Sequence, residues 1–84
     1  MNATPQKNII IYSTPTCTYC NHLKEYLKSK GFTYQDVDVT KDREAMIASV
    51  QKSGQKGVPV TDIEGKIIVG FDQEAVDAEL GITN

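Results

Sequence analysis

Cys17 and Cys20 are the only two cysteines in a chain of 84 residues, three positions apart and directly after the apolar run Ile9-Ile10-Ile11-Tyr12. Such a run predicts a buried strand, and the residues after it predict a helix starting near Cys17. Both thiols then lie between a strand end and the first turn of a helix. The unpaired amides and the positive dipole end of that helix face the Cys17 sulfur. This setting favours thiolate over thiol and lowers a cysteine pKa to between about 3.5 and 7.5, from about 8.5 when unperturbed. Cys20, one turn further along the same face, is within reach of a mixed disulfide formed at Cys17. The chemistry indicated is thiol–disulfide exchange.

The rest of the chain bounds that reading. Its length allows one small domain, spanning 1–84. Segment 1–7 is polar and unlike a secretory signal, and no apolar run approaches the roughly 20 residues that cross a bilayer. A net charge of −2 argues against nucleic acid as a partner. The expected compartment is the reducing cytoplasm, where a lone structural disulfide would not persist. A CxxC pair is there catalytic or metal-binding.

The elements that position the thiols can be read in order. Residues 8–12 form the first strand and residues 17–30 a helix, with Cys20, Leu23, Tyr26 and Leu27 at helical spacing and Gly31 closing it. Residues 32–39 alternate, with Phe32, Tyr34, Asp36 and Asp38 on one side and Val37 and Val39 on the other, as in a strand whose end is acidic and exposed. Thr40 is the expected cap of a second helix that turns Met46, Ile47 and Val50 inward and stops at Gly54. Residues 58–63 and 66–69, joined by Glu64-Gly65, predict an antiparallel hairpin. Asp72 caps a last helix, with Phe71 and Val76 at the spacing of a hydrophobic staple. The order βαβαββα makes the first two strands parallel and the last two antiparallel, in a small mixed sheet flanked by helices.

These elements, with Tyr12-Ser13-Thr14-Pro15-Thr16-Cys17-Thr18-Tyr19-Cys20, Gly57-Val58-Pro59-Val60 and Val69-Gly70-Phe71-Asp72, resemble a glutaredoxin of the thioredoxin superfamily over residues 9–80. The segment from Val58 to Asp72 looks most like a short prokaryotic branch near the glutaredoxin-like hydrogen donors of ribonucleotide reductase. The resemblance implies an α/β thioredoxin fold with a four-stranded mixed sheet and three helices. It also implies a cis Val58–Pro59 bond beside the cysteines. A cis proline would leave the Val58 N–H and C=O free to pair with an extended substrate; without the family, Pro59 reads as the trans start of an edge strand. Gly70, Phe71 and Asp72 correspond to the corner that receives the γ-glutamyl end of glutathione, although Asp72 is also an N-cap by its own chemistry.

Several positions depart from the family pattern. Thr14 stands where glutathione-using relatives carry a lysine or arginine. Lys56 either substitutes for that cation or is a solvated loop lysine, and Gly57 replaces a threonine in the groove wall. Thr18 replaces a proline and keeps an amide hydrogen able to donate toward Cys17. Tyr19 is placed on the rim that contacts substrate. Asp62, where an apolar residue is expected, reads either as a proton acceptor serving Cys20 or as a solvated charge near Lys66; its place about 10 Å along the strand from Pro59, at about 3.3 Å per residue, favours the second. His22, the single histidine, reads as a surface residue.

The resemblance implies a dithiol oxidoreductase in which Cys17 attacks a protein disulfide or glutathione mixed disulfide and Cys20 resolves it. No tightly bound cofactor is expected. Glutathione is the expected co-substrate, glutathione or a thioredoxin reductase the electron donor, and the protein a monomer acting on disulfide-containing proteins. The rival is an iron–sulfur or zinc module, in which two thiolates supply half of a four-coordinate site. A second chain or added glutathione would complete it.

Overall fold

Four strands and three helices follow in the expected order: β1 (Ile9–Ser13), α1 (Thr18–Ser29), β2 (Gln35–Asp38), α2 (Arg43–Ser53), β3 (Val60–Ile63), β4 (Lys66–Val69) and α3 (Gln73–Leu80). They are seen in a computed structural model that describes residues 8–82. The polar segment 1–7 lies outside the described residues. The sheet order is β2-β1-β3-β4, with β1 parallel to β2 and antiparallel to β3, and β3 antiparallel to β4. Among the described residues no helix is long and apolar enough to cross a membrane.

Helices pack on both faces of the sheet at β1, which explains its unbroken apolar run. Ile9 and Ile11 join Leu23 and Leu27 of α1, Ile63, Ile68 and Val76 of α3 in one cluster. Ile10 and Tyr12 point the other way, toward Val60, Val39 and the α2 residues Ala45 and Met46. Helix α1 ends where Gly31 takes a left-handed φ of 83°. The Phe32 N–H then reaches back to the Leu27 carbonyl at 2.9 Å and the Gly31 N–H to Lys28 at 3.0 Å, which is a Schellman motif. Tyr26 donates to the Asp77 carboxylate and so ties α1 to α3.

Four expectations are corrected. Helix α2 is capped by Asp42, whose Oδ1 accepts the Ala45 N–H at 3.2 Å. Thr40 instead bonds Asp38 through both its N–H (2.8 Å) and its hydroxyl (2.6 Å), the local turn chemistry of an aspartate two residues back. Ile47 is not inward but 47% exposed. The packed face carries Ala45 and Met46 with the buried Ser49, and one residue past Met46 turns about 100° away. The strands are also shorter at their N-termini than expected, starting at Gln35 and Val60.

Asp62 is the fourth correction. It is not a solvated charge beside Lys66, because its side chain is only 14% exposed and is paired with Lys52 at 2.8 Å. Strand periodicity puts Asp62 on the α2 face with Val60, where the last turn of α2 brings Lys52 over it. Lys52 also donates to the Tyr12 hydroxyl at 2.8 Å, and the Gly65 N–H donates to Asp62 at 2.8 Å. Burial opposes the Asp62 charge, but the Lys52 hydrogen bond, the Gly65 N–H and the Lys52 charge outweigh it and lower its pKa. The bonds to Asp62 and then Tyr12 raise that of Lys52. A depressed carboxyl pKa contributes stability above its unfolded value that disappears as pH falls through the folded value. Asp62→Asn is therefore expected to lose on the order of 1 kcal/mol at neutral pH. In denaturant titrations its deficit against wild type should close as the pH falls below the ordinary aspartate range; a deficit constant with pH would show that the charge contributes nothing.

Candidate active site

The loop after β1 is a turn in which the Cys17 N–H donates to the Thr14 carbonyl at 3.3 Å. Pro15 occupies the second position of that turn, where its fixed φ is favourable. The turn delivers Cys17 in an extended conformation (φ −80°, ψ 112°) as the N-cap of α1. In place of a capping oxygen, the Cys17 Sγ accepts the Cys20 N–H at 3.1 Å, one of the amides a helix start leaves unpaired. Cys17 and Cys20 are joined as a disulfide with their Cα atoms 5.2 Å apart. Their surroundings differ. Cys20 is completely buried, whereas Cys17 is half-buried.

The opposite wall comes from the segment before β3. The Val58–Pro59 bond is cis, as expected. The Val58 carbonyl oxygen lies 4.0 Å from the Cys17 sulfur. Next to it, the Gly70 N–H donates to the Pro59 carbonyl at 2.8 Å, with Gly70 at a left-handed φ of 75°. This bond brings the start of α3 beside the proline. Asp72 caps that helix by accepting the Ala75 N–H at 3.1 Å.

The remaining expected residues divide. Tyr19 stands on the rim, 66% exposed, with the exposed His22 edge-on to it at 6.4 Å between ring centroids. Lys56 and Gly57 are exposed on the loop leading to Val58. Phe71 belongs to the corner by its backbone only; its ring packs on the α1–α3 core, 5.9 Å from that of Tyr26. Thr14 lines a polar cavity of about 190 Å³ together with Ser13, Pro15, Lys24, Asp36 and Asp38. A cation does stand there, but Lys24 is bound to Asp36 at 2.9 Å.

Thr18 differs from its sequence reading. The amide that reaches the Cys17 sulfur is that of Cys20, not Thr18. Two groups that sequence reading did not single out also bear on the site. Lys52 bonds Tyr12, just before the turn, and Gln55 folds onto Gly57, just before Val58. Among the described residues, no three metal-ligating side chains converge, so a metal held at the cysteines would need ligands from a second molecule.

With this geometry in view, a profile of the Glutaredoxin family matches residues 9–68. The chain belongs to the glutaredoxin family. A glutaredoxin-like 8.6 kDa protein in a rubredoxin operon of Clostridium pasteurianum is 49% identical over 82% of this chain and 92% of its own length. Glutaredoxin 3 of Escherichia coli is 33% identical, over 89% of this chain and 92% of its own length. Among solved structures, a buckwheat glutaredoxin–glutathione complex superposes with a TM-score of 0.74 at 27% identity, spanning 89% of this chain and 74% of that one. As a glutaredoxin, the protein is a thiol–disulfide oxidoreductase.

Thr18 is the first helical residue of α1, where an N–H is dispensable and proline is favoured. The extended Cys17 before it suits a following proline. Thr18→Pro in the oxidised protein is thus expected to unfold at an equal or slightly higher denaturant concentration. A loss above about 1 kcal/mol would show that the Thr18 N–H carries a bond that matters.

Proposed function

We propose that this glutaredoxin reduces protein disulfides and glutathione mixed disulfides by a dithiol mechanism, with Cys17 as nucleophile and Cys20 as resolving thiol. The observation that carries the assignment is the unequal placement of the two sulfurs. Cys17 is partly open to solvent at a helix N-terminus and accepts an amide hydrogen; Cys20 is buried beneath it. Negative charge is stabilised at the first sulfur and disfavoured at the second.

In the reduced protein, the Cys17 thiolate attacks one sulfur of the substrate disulfide. A Cys17–substrate disulfide forms, and the other substrate sulfur leaves as a thiolate that takes a proton from water. Cys20 then loses its proton and attacks Cys17 Sγ, forming the Cys17–Cys20 bond and releasing the second substrate thiol. Two electrons have passed to the substrate. Two glutathione molecules, or a thioredoxin reductase, return them.

The groove suits glutathione as the partner. The Val58 peptide groups would pair with its cysteinyl backbone. Asp72 and the amides of α3 would meet its γ-glutamyl end, and Lys56 is within the same loop to meet a carboxylate. The buckwheat relative forms a complex with glutathione, which supports this reading. Tyr19 closes the outer rim.

Cys17→Ser is expected to abolish all turnover. Cys20→Ser should keep exchange with small glutathione disulfides while losing the reduction of protein disulfides. An active Cys17→Ser protein with a dead Cys20→Ser protein would reverse the roles. NADPH-consumption assays coupled through glutathione and through thioredoxin reductase, run side by side, identify the electron donor. Iron or zinc retained by anaerobically purified protein would instead favour a cluster- or metal-binding role.

A further inference from the structure

We propose that Gln55 is a positioning residue whose side-chain amide clamps the backbone of Gly57 and so aims the Val58 N–H into the substrate groove. The proposal rests on the reductase reading above and adds a residue to it. Gln55 Oε1 accepts the Gly57 N–H at 2.7 Å, and Gln55 Nε2 donates to the Gly57 carbonyl at 3.0 Å. Both peptide groups of one residue are thus held by one carboxamide, in the two-point pattern that a neighbouring strand would supply.

The consequence for Val58 follows from peptide geometry. The Gly57 carbonyl and the Val58 N–H belong to the same planar trans unit and point in opposite directions. Fixing the carbonyl on the Gln55 side fixes the N–H on the other. Among the described residues the Val58 N–H has no hydrogen-bond partner, while the carbonyl of the same residue lies 4.0 Å from the Cys17 sulfur. Glycine at 57 would otherwise let this peptide rotate, since it tolerates backbone conformations that other residues avoid.

Gln55 is itself held. Its N–H donates to the Ser53 hydroxyl oxygen at 3.3 Å, and that hydroxyl lies 2.7 Å from the Ser49 carbonyl inside α2. The left-handed Gly54 (φ 75°) turns the chain out of the helix. Orientation therefore passes from the end of α2 through Gln55 to the groove wall.

The clamp also accounts for glycine at 57. A Cβ there would come within 2.6 Å of Gln55 Oε1, so a side chain at 57 would displace the carboxamide from its present position. The missing side chain is the space that the carboxamide fills.

The test uses the whole protein and a peptide whose cysteine carries glutathione as a mixed disulfide. Loss of the two bonds in Gln55→Ala is expected to raise KM about three- to tenfold with kcat within about twofold of wild type. The alkylation rate of reduced Cys17 by a small reagent should be unchanged, because that reaction needs no groove. Gly57→Ala should raise KM similarly alone and add nothing further in the Gln55→Ala background. An unchanged KM in Gln55→Ala, effects that simply sum in the double variant, or an alkylation rate that falls with the rise in KM would each overturn the clamp. If wild-type protein does not turn the peptide over, the reductase reading falls and the clamp's role with it; wild-type turnover with an unaffected Gln55→Ala defeats the clamp alone.

Discussion

The hydrogen bond from the Cys20 amide to the Cys17 sulfur, at 3.1 Å, is the interaction on which the site depends. It exists because α1 begins one residue after Cys17, so that a sulfur occupies the place usually taken by a capping oxygen. A helix starting a turn later would leave both thiols in a loop, without the converging amides. The Thr14–Cys17 turn sets that start. The burial of Leu23 and Leu27 keeps the helix seated against β1. Burial of Cys20 on the same helix face then gives two otherwise identical side chains different surroundings.

The wall opposite the cysteines is built from loops, each tied to a regular element. The Gly70 N–H joins the proline segment to the start of α3. Gln55 joins the residues before Val58 to the end of α2. One turn earlier in α2, Lys52 grips β1 at Tyr12 and β3 at Asp62. The C-terminal turn of α2 is thereby fixed to the two central strands just below the groove. A loop of such composition, rich in glycine and small polar residues, needs anchors of this kind to present a defined backbone edge.

Much of this was legible in the chain. The cysteine spacing, the apolar run of β1, Gly31 and Gly54 as helix ends, Asp72 as a cap and the Glu64-Gly65 turn are local signals, and each element they mark is present. What was not legible depends on contacts between distant residues. Asp62 read as solvated because nothing nearby in sequence reveals that Lys52 arrives over it from α2. Asp38 competes for Thr40 and pushes the cap of α2 on to Asp42. Ile47 read as core because apolarity alone does not say which face of a short helix meets the sheet. Gln55 carried no signal in isolation. Its meaning depends on a glycine two residues on, whose peptide groups would otherwise lack partners.

The most direct test of the account is the pH dependence of the alkylation rate of Cys17 in the fully reduced protein, with Cys20→Ser as the companion sample so that a single thiol is read. Ionisation favoured by the helix start and by the Cys20 amide predicts an inflection well below the ordinary thiol value of about 8.5. An inflection at or above that value would contradict it, leaving the position of Cys17 at the head of α1 without chemical consequence.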